Sequence, residues 1–216
     1  GNLKEGGDCM KKIFLIPILL ITVISFSHIP FFVSEEDFYN GDYYVDDVDL
    51  SQIYYYTFDG MQEISFVFGS IPGKSLHILY GIPVGIPDKN STLYFRPSLS
   101  VYGPHDNLID SFDFENSEPE LMHEFFGDSY SFVYLRYDKP FEIDGLYRVT
   151  LTSKESGKVW IAFGRREEFT IKQIFEINSM IRDIRDFHDL EGLAAWQRVG
   201  LSALILVAFA GFIVFL

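Results

Sequence analysis

The sequence predicts a mainly β protein: an antiparallel β-sandwich ectodomain, followed by an amphipathic juxtamembrane helix and a C-terminal transmembrane helix. Three observations predict this order. From residue 51 to residue 164, short runs of β-branched and aromatic residues alternate with turn residues, as in a sandwich or barrel. From residue 170, apolar residues recur at three- and four-residue spacing, which is the period of a helix. Residues 199–216 contain no charged side chain.

The composition requires apolar and acidic residues to occupy different parts of the chain. Of 216 residues, 48% are hydrophobic and the mean hydropathy is +0.11, yet the net charge is −14. The negative charge excludes nucleic acid as a partner, because binding phosphates requires clustered Lys and Arg. The apolar content excludes a disordered chain.

The N-terminal part has the layout of a secretory signal. Lys11 and Lys12 precede a run without Asp, Glu, Lys or Arg that extends to residue 33. Ser25 and Ser27 place small residues at the −3 and −1 positions, so residues 10–27 are predicted to be a signal peptide cleaved before His28. An uncleaved signal anchor that reaches residue 33 is the alternative. Residues 1–9 are expected to be a non-native or upstream extension.

Two domain segments follow. Residues 28–50 are an acidic lead-in, read as an extended edge or linker, and residues 51–169 are the sandwich. Another acidic stretch, residues 106–128, is predicted to be a long connection. The predicted strands cover residues 52–58, 63–68, 75–80, 92–95, 98–102, 131–137, 146–152 and 158–163.

Two turns are predicted to close hairpins. Asp59-Gly60 separates the first two strands, and both residues tolerate positive φ. The polar segment 153–157 separates the last two strands. Within residues 146–152, alternation predicts that Tyr147, Val149 and Leu151 face the core.

Residues 170–198 are predicted to form the juxtamembrane helix, which Gly192 interrupts. Its apolar stripe packs on the sandwich or in the lipid interface, with a partner-binding helix as a further alternative. Trp196 suits an interfacial aromatic anchor, and residues 199–216 suit the membrane span, since a core helix would show a polar face. The predicted location is the cell membrane, single-pass, with the ectodomain extracellular or periplasmic. The stripe comprises Ile171, Ile174, Phe175, Ile177, Ile181, Ile184 and Phe187.

The cysteine count limits the chemistry. The single cysteine, Cys9, precedes Met10, the expected start, so the mature protein would have no thiol. That excludes a disulfide framework, a cysteine nucleophile, zinc-thiolate sites and blue copper.

The histidines give a weak metal hypothesis. His77 lies in an apolar strand and is expected to be a core or edge histidine. His105 and His123 lie in acidic loops and would need Asp106 or Glu124 to hold a metal. No H-E-x-x-H pair, P-loop, dinucleotide fingerprint or G-x-S-x-G elbow is present, and His188 falls in no motif. We therefore predict no catalytic residue, no metal site and no cofactor.

Two acidic clusters offer the oxygen ligands that calcium prefers, but neither has EF-hand spacing. A solvated surface is the plainer interpretation. A glycosidase pair cannot be selected among so many acids without distances. The clusters are Asp42, Asp46, Asp47 and Asp49, and Asp106, Asp110, Asp113 and Glu115.

Consecutive tyrosines suggest a second binding hypothesis. Tyr54, Tyr55 and Tyr56 alternate in direction along a strand, so one face of that strand is core and the other is potentially exposed. Exposed rings could stack on sugar or pack on a protein, although tyrosine also simply suits a pleated surface. The sequon at residues 90–92 agrees with an exposed loop.

The end of the predicted sandwich resembles a group of poorly characterised extracytoplasmic proteins of bacteria and archaea. The resemblance covers about the last 120 residues and lies in residues 140–141, 145–149 and 157–169. In that group G-x-Y, a strand, G-K-Y-x-L-x-x-G and E-x-F follow in order, and this chain departs from the pattern with Val159-Trp160. The resemblance implies a signal peptide, a β-sandwich and a C-terminal anchor, and it implies no catalytic residue.

Three functions follow as hypotheses. The first is a non-catalytic, membrane-anchored interaction or envelope-associated protein with a protein partner. The alternative is a module that binds carbohydrate or calcium. The third is a secreted hydrolase, which would require a concave pocket with two acids or a histidine of shifted pKa.

Overall fold

The computed structural model describes residues 28–84, 95–168 and 170–202. It contains two β-sheets packed face to face and one long helix on the outside. The strands are β1 Ile29–Phe32, β2 Asp42–Tyr44, β3 Gln52–Phe58, β4 Gln62–Gly69, β5 Ser75–Val84, β6 Ser98–Gly103, β7 Asn107–Phe112, β8 Glu120–Glu124, β9 Ser129–Pro140, β10 Leu146–Ser153 and β11 Gly157–Phe163, and the helix is α1 Ile171–Phe187.

The large sheet has the order β1-β3-β11-β5-β9-β8, and the small sheet has the order β2-β4-β10-β6-β7. Their facing sides enclose the main core, in which Phe58, Phe66, Leu99, Val149 and Leu151 are completely buried. The predicted β-sandwich is thus confirmed. Most pairings are antiparallel, but β1 runs parallel to β3 and β2 runs parallel to β4.

Strand alternation sends neighbouring side chains into two different cores. Tyr54 and Tyr56 on β3 point into the main core, whereas Tyr55 points to the other side of the large sheet, where α1 covers it. All three tyrosines are at least 97% buried. On β10, Tyr147, Val149 and Leu151 face the main core as predicted.

Seven of the eight predicted strands are present, several of them longer than predicted. The eighth, residues 92–95, lies outside the described residues except for Phe95, which is not in a strand. The sequon at residues 90–92 also lies outside them.

Both predicted hairpins are wrong. The Asp59-Gly60 turn connects β3 of the large sheet to β4 of the small sheet, and segment 153–157 connects β10 to β11 in the same way. In each case the chain crosses from one sheet to the other and places apolar residues on both sides of one core. Turn chemistry specifies a reversal of the chain, but it does not specify whether the two strands share a ladder.

The acidic segments are more ordered than predicted. Residues 28–50 form the predicted extended edge and not the alternative linker, because they contribute the edge strand β1 to the large sheet and the edge strand β2 to the small sheet. Residues 29–32, which the signal-anchor alternative placed in a membrane, pair with β3, and Ile29 is 7% exposed. The predicted loop 106–128 contains the edge strands β7 and β8.

Helix α1 packs on the outer face of the large sheet. The Thr170 hydroxyl accepts a hydrogen bond from the Gln173 backbone N–H, which caps its start. Of the predicted stripe, Ile181 and Ile184 are buried, but Phe175 is 82% exposed, so the stripe does not extend to it. The side chains of the first two stripe residues, at 171 and 174, lie outside the described part.

A second helical segment begins at residue 195 and is described up to residue 202. Gly192, with φ of 73°, lies between the two helices as predicted. Within the described ranges, no helix has the length and apolarity needed to cross a bilayer. Most of the predicted span, residues 203–216, lies outside the described residues.

Candidate functional site

The outer faces of the two sheets differ. On the large sheet, Ile181, Ile184 and Ala194 cover a second core that includes Tyr55 and Trp160. The outward side chains of the small sheet, on the side of the sandwich away from α1, are named the open face; Ser65, Val67 and Thr150 within it are 4 to 6% exposed. Tyr44, Leu108 and Leu146 on this face are 58, 54 and 62% exposed.

Strand register aligns the open face into rows, because residues paired across strands point to the same side. The first row crosses all five strands and mixes apolar and aromatic groups with one cation. Leu146 lies beside it, one alternation from Arg148 on β10. The row consists of Tyr44, Val67, Arg148, Tyr102 and Leu108.

Arg148 is at the centre of this row. Its Nη1 donates to Asp106 and its Nη2 donates to Asp42, both at 3.3 Å, which is at the long end of hydrogen-bond geometry. Its Nε is buried and has no acceptor within the described ranges.

The second row also crosses all five strands, and all its side chains are polar. Ser65 and Thr150 share a hydrogen bond of 2.9 Å, and Ser100 and Ser111 share one of 3.1 Å, so their hydroxyls are partly paired within the sheet. Asp42 ends this row on β2. The open face therefore combines a first row of mostly apolar and aromatic side chains with a second row of mostly short hydroxyl side chains.

A hollow of about 250 Å³ lies on the open face between β2 and β10, beside the first row. Tyr44, Leu146 and Arg148 line it together with Asp42 and His105. The hollow brings together residues from both predicted acidic clusters. Arg148 lies between their carboxylates, however, which makes the arrangement unsuitable for a cation.

Four other acidic candidates also contact cations or polar groups of the protein. Asp47 and Asp49 pair with Arg166, and Asp110 pairs with Lys139, which lowers the pKa of its carboxyl. The Asp113 side chain accepts from the Glu115 backbone N–H. No group of three or more potential ligand side chains is gathered in the described ranges, so the calcium and histidine-metal hypotheses gain no site.

The predicted histidines serve structural contacts. His77 lies 3.1 Å from Asp138 on the neighbouring strand. His123 lies 3.0 Å from Asp128 and stacks on Tyr130, and it does not join His105 in any shared ligand group.

His188 has a structural role that the sequence does not indicate. It is 3% exposed, its Nδ1 is 2.9 Å from the Ile184 carbonyl, and its Nε2 is 3.2 Å from the Ser131 hydroxyl. Burial lowers its pKa to about 4. The helical pattern gave no indication of this contact, because it depends on where β9 passes beneath the helix.

A groove of about 240 Å³ on the large sheet meets one condition set for a hydrolase, a histidine of shifted pKa. Burial lowers the pKa of His28 there to about 4. His28 lies 2.6 Å from the Ser51 hydroxyl, but Ser51 is 4% exposed and does not line the groove. The acid Asp138 contacts His77, whereas the hydroxyl of Ser51 contacts His28. Within the part of the chain that the structure describes, no histidine of this groove therefore contacts both a serine hydroxyl and a carboxylate, as a hydrolase triad requires.

The tyrosine hypothesis for sugar binding is wrong, since Tyr54, Tyr55 and Tyr56 are core residues. The residues that do form an exposed surface were missed for a physical reason. Alternation in residues 146–152 already placed Leu146 and Arg148 opposite the core residues. Tyr44 lies in the segment predicted to be an extended edge or linker, and Leu108 lies in the predicted long connection, so only strand pairing joins them to Arg148.

Comparisons with known proteins identify no family for this chain. No family model matches the chain, and no sequence among the curated proteins matches it. Among solved structures, the chain is similar to Salmonella Typhimurium PliG, a periplasmic lysozyme inhibitor of g-type lysozyme, at 15% identity and a TM-score of 0.32, over 57% of this chain and 96% of that one. It is similar to a PliG mutant from Escherichia coli at 15% identity and a TM-score of 0.30, over 64% and 98%. Likenesses this weak assign neither a family nor a ligand.

Proposed function

We propose that the chain is a non-catalytic interaction module that binds a protein partner through the open face of the small sheet. One observation carries the proposal: this face displays Tyr44, Leu108 and Leu146, each more than half exposed, around a central Arg148. Tyrosine and arginine are enriched at the energetic centres of interfaces, and apolar residues grouped on one surface mark interaction sites.

The asymmetry of the sandwich supports the proposal. The large sheet has its outer apolar residues covered by α1, whereas on the small sheet the outward-facing Tyr44, Leu108 and Leu146 remain more than half exposed. Scattered exposed apolar residues are ordinary. Here the strand register places Val67, Arg148 and Tyr102 on the three strands that separate Tyr44 from Leu108, so all five side chains lie on one side of the sheet.

Charge indicates the kind of partner. Asp42, Asp106 and Glu63 lie on or beside the open face with the cation Arg148, and the whole chain carries a net charge of −14. Complementary potentials speed association and disfavour wrong partners. The partner surface we propose therefore carries an apolar centre and a basic rim.

We further propose that this binding occurs on the outer side of the cytoplasmic membrane. Sequence supports the location through the basic and apolar layout of residues 11–27 and the uncharged residues 199–216, proposed as a membrane anchor. The first described strand begins at Ile29, so cleavage after Ser27 would leave β1 complete. Membership in the extracytoplasmic group that the sequence resembles is part of the same proposal.

The test is affinity capture of the full chain from its native membrane in mild detergent. We expect a stoichiometric protein partner with the unaltered chain. The double variant Leu108→Ser/Leu146→Ser should lose the partner, because it removes the two exposed aliphatic groups beside Arg148.

Met61→Ser is the matched control, since Met61 is 82% exposed in the β3–β4 turn, away from the open face. It should retain the partner. Retention by the double variant, or capture of no stoichiometric partner by the unaltered chain, would contradict the proposal. Intact mass of the same product tests cleavage before His28.

A further inference from the structure

The turn between β8 and β9 lies against the segment from which the chain continues into residues 199–216. Phe125, at this turn, is 56% exposed, and its ring stacks on Trp196 at 6.5 Å. The Trp196 Nε1–H donates to the Phe126 carbonyl at 3.1 Å. Leu193, two residues before the second helical segment, is 47% exposed. We name Phe125, Leu193 and Trp196 the exit patch.

The exit patch is held by polar contacts, which fix it to the sandwich. The Asp128 carboxylate accepts from the Ala195 backbone N–H at 2.8 Å, which lowers the pKa of Asp128 and caps the second helical segment. Arg185 donates to carbonyls on both sides, those of Gly127 and Gly192, each at 2.9 Å. The turn, α1 and the second helical segment are therefore joined without a free linker.

The residues that follow the exit patch in the chain indicate that it contacts lipid. Val199 and Leu201, three to five residues beyond Trp196, are 69 and 51% exposed and begin the uncharged run to residue 216. Arg198 immediately precedes that run. Indole and phenyl rings followed by an apolar run are typical of residues at the headgroup level of a bilayer.

We propose that the exit patch is a lipid-contacting surface, on which Phe125, Leu193 and Trp196 insert into the interfacial region of the bilayer that residues 199–216 enter. This inference rests on the proposed membrane attachment. The new element is that the sandwich itself contacts lipid, through Phe125 in the turn between β8 and β9. The ectodomain would then be held in one orientation relative to the membrane instead of rotating freely on a tether.

The chain is suited to a fluorescence test because it has two tryptophans, Trp160 in the second core and Trp196 in the exit patch. The full chain is reconstituted into phosphatidylcholine vesicles, with or without lipids brominated on the acyl chain near the headgroup. Trp160→Phe leaves Trp196 as the sole emitter, and Trp196→Phe leaves Trp160. We expect bromolipid to reduce Trp196 emission by about half and to leave Trp160 emission unchanged.

A second measurement does not depend on how Trp160→Phe folds. A spin label is attached at Phe125→Cys, with Met61→Cys as the matched exposed control, both in a Cys9→Ser background. We expect the label at position 125 to be accessible to oxygen and shielded from a water-soluble nickel chelate. The label at position 61 should show the reverse.

Flotation of the vesicles separates the two proposals. If the chain floats and both probes report lipid, the lipid-contacting surface is supported. If the chain floats and both probes report water, that surface is refuted while membrane attachment stands. If the chain does not float, the attachment itself is refuted and the exit patch with it.

Discussion

Individual polar residues decide how the helices attach to this sandwich. Arg185 is 7% exposed although it carries a charge, and it donates to four backbone carbonyls, those of Gly127, Asp128, Glu191 and Gly192. His188 links α1 to Ser131, which also accepts from the Trp160 indole. Buried polar groups of this kind are costly unless satisfied, so each should be sensitive to substitution.

We predict that His188 makes stability fall as the pH drops below about 6.5. In the unfolded chain its pKa is near 6.5, whereas burial in the folded protein lowers the pKa to about 4. Between these values the unfolded chain binds a proton that the folded protein does not, so the free energy of unfolding falls by about 3 kcal/mol in all. His28 shows the same shift and adds its own decrease.

Urea unfolding at several pH values from about 7 to 4 measures this dependence. His188→Gln should remove about half of the histidine contribution to the decrease. His105→Gln is the control for loss of an imidazole, because His105 is exposed and belongs to neither core. An unchanged pH slope in His188→Gln would refute the assignment.

Arg185→Met should destabilise the protein by about 3 kcal/mol, because four carbonyls lose their donor and the new side chain cannot replace it. Arg182→Met is the matched control on the exposed side of the same helix, and it should change stability by less than about 0.5 kcal/mol. Chemical unfolding of both variants gives the comparison. Equal losses of stability in the two variants would show that the hydrogen bonds of Arg185 to the four carbonyls do not stabilise the fold.

At the scale of elements, the packing of the second core depends on a close contact between a ring and the backbone as well as on the apolar pattern. The β5–β9 pairing shifts register between Tyr80 and Gly81, and the Trp160 ring packs directly over Gly81. A Cβ at Gly81 would lie 2.5 Å from Trp160 Cζ2 and 2.6 Å from the Phe132 carbonyl oxygen. The second core, which holds α1, therefore depends on a glycine in the middle of a strand.

Gly81→Ala is predicted to cost about 2 kcal/mol of stability, since a backbone oxygen cannot move aside as a flexible side chain can. Gly69→Ala, at the end of β4, is the control because no atom lies within 4 Å of a Cβ there. Thermal and urea unfolding should separate the two variants. A neutral Gly81→Ala would mean that the strand relaxes around the added methyl group.

At the scale of the whole molecule, the sandwich has one face occupied by its own helix and one face left open. The covered face attaches the C-terminal segments through the second core and the turn at residues 125–128. The open face carries the row centred on Arg148. The proposed membrane attachment and the proposed partner surface therefore lie on opposite sides of one fold.

The sequence predicted the sandwich and most strands because alternation and turn residues are local. It did not predict the pairings: Asp59-Gly60 was taken to close a hairpin, although it connects two sheets. Nor did it find the open face, since Tyr44 and Leu108 lie in acidic segments whose short edge strands have weak patterns. Which strands become neighbours depends on long-range packing, and the site depends on those neighbours.

Site-specific photo-crosslinking tests the central claim most directly. A photoreactive phenylalanine analogue replaces Tyr44 on the open face in one full-length chain and Phe175 on α1 in another, both positions being exposed. After irradiation in the native membrane, we predict a single protein adduct from position 44 and none from position 175. An adduct from position 175 alone, or no adduct from position 44 when a stoichiometric partner co-purifies, would contradict binding through the open face.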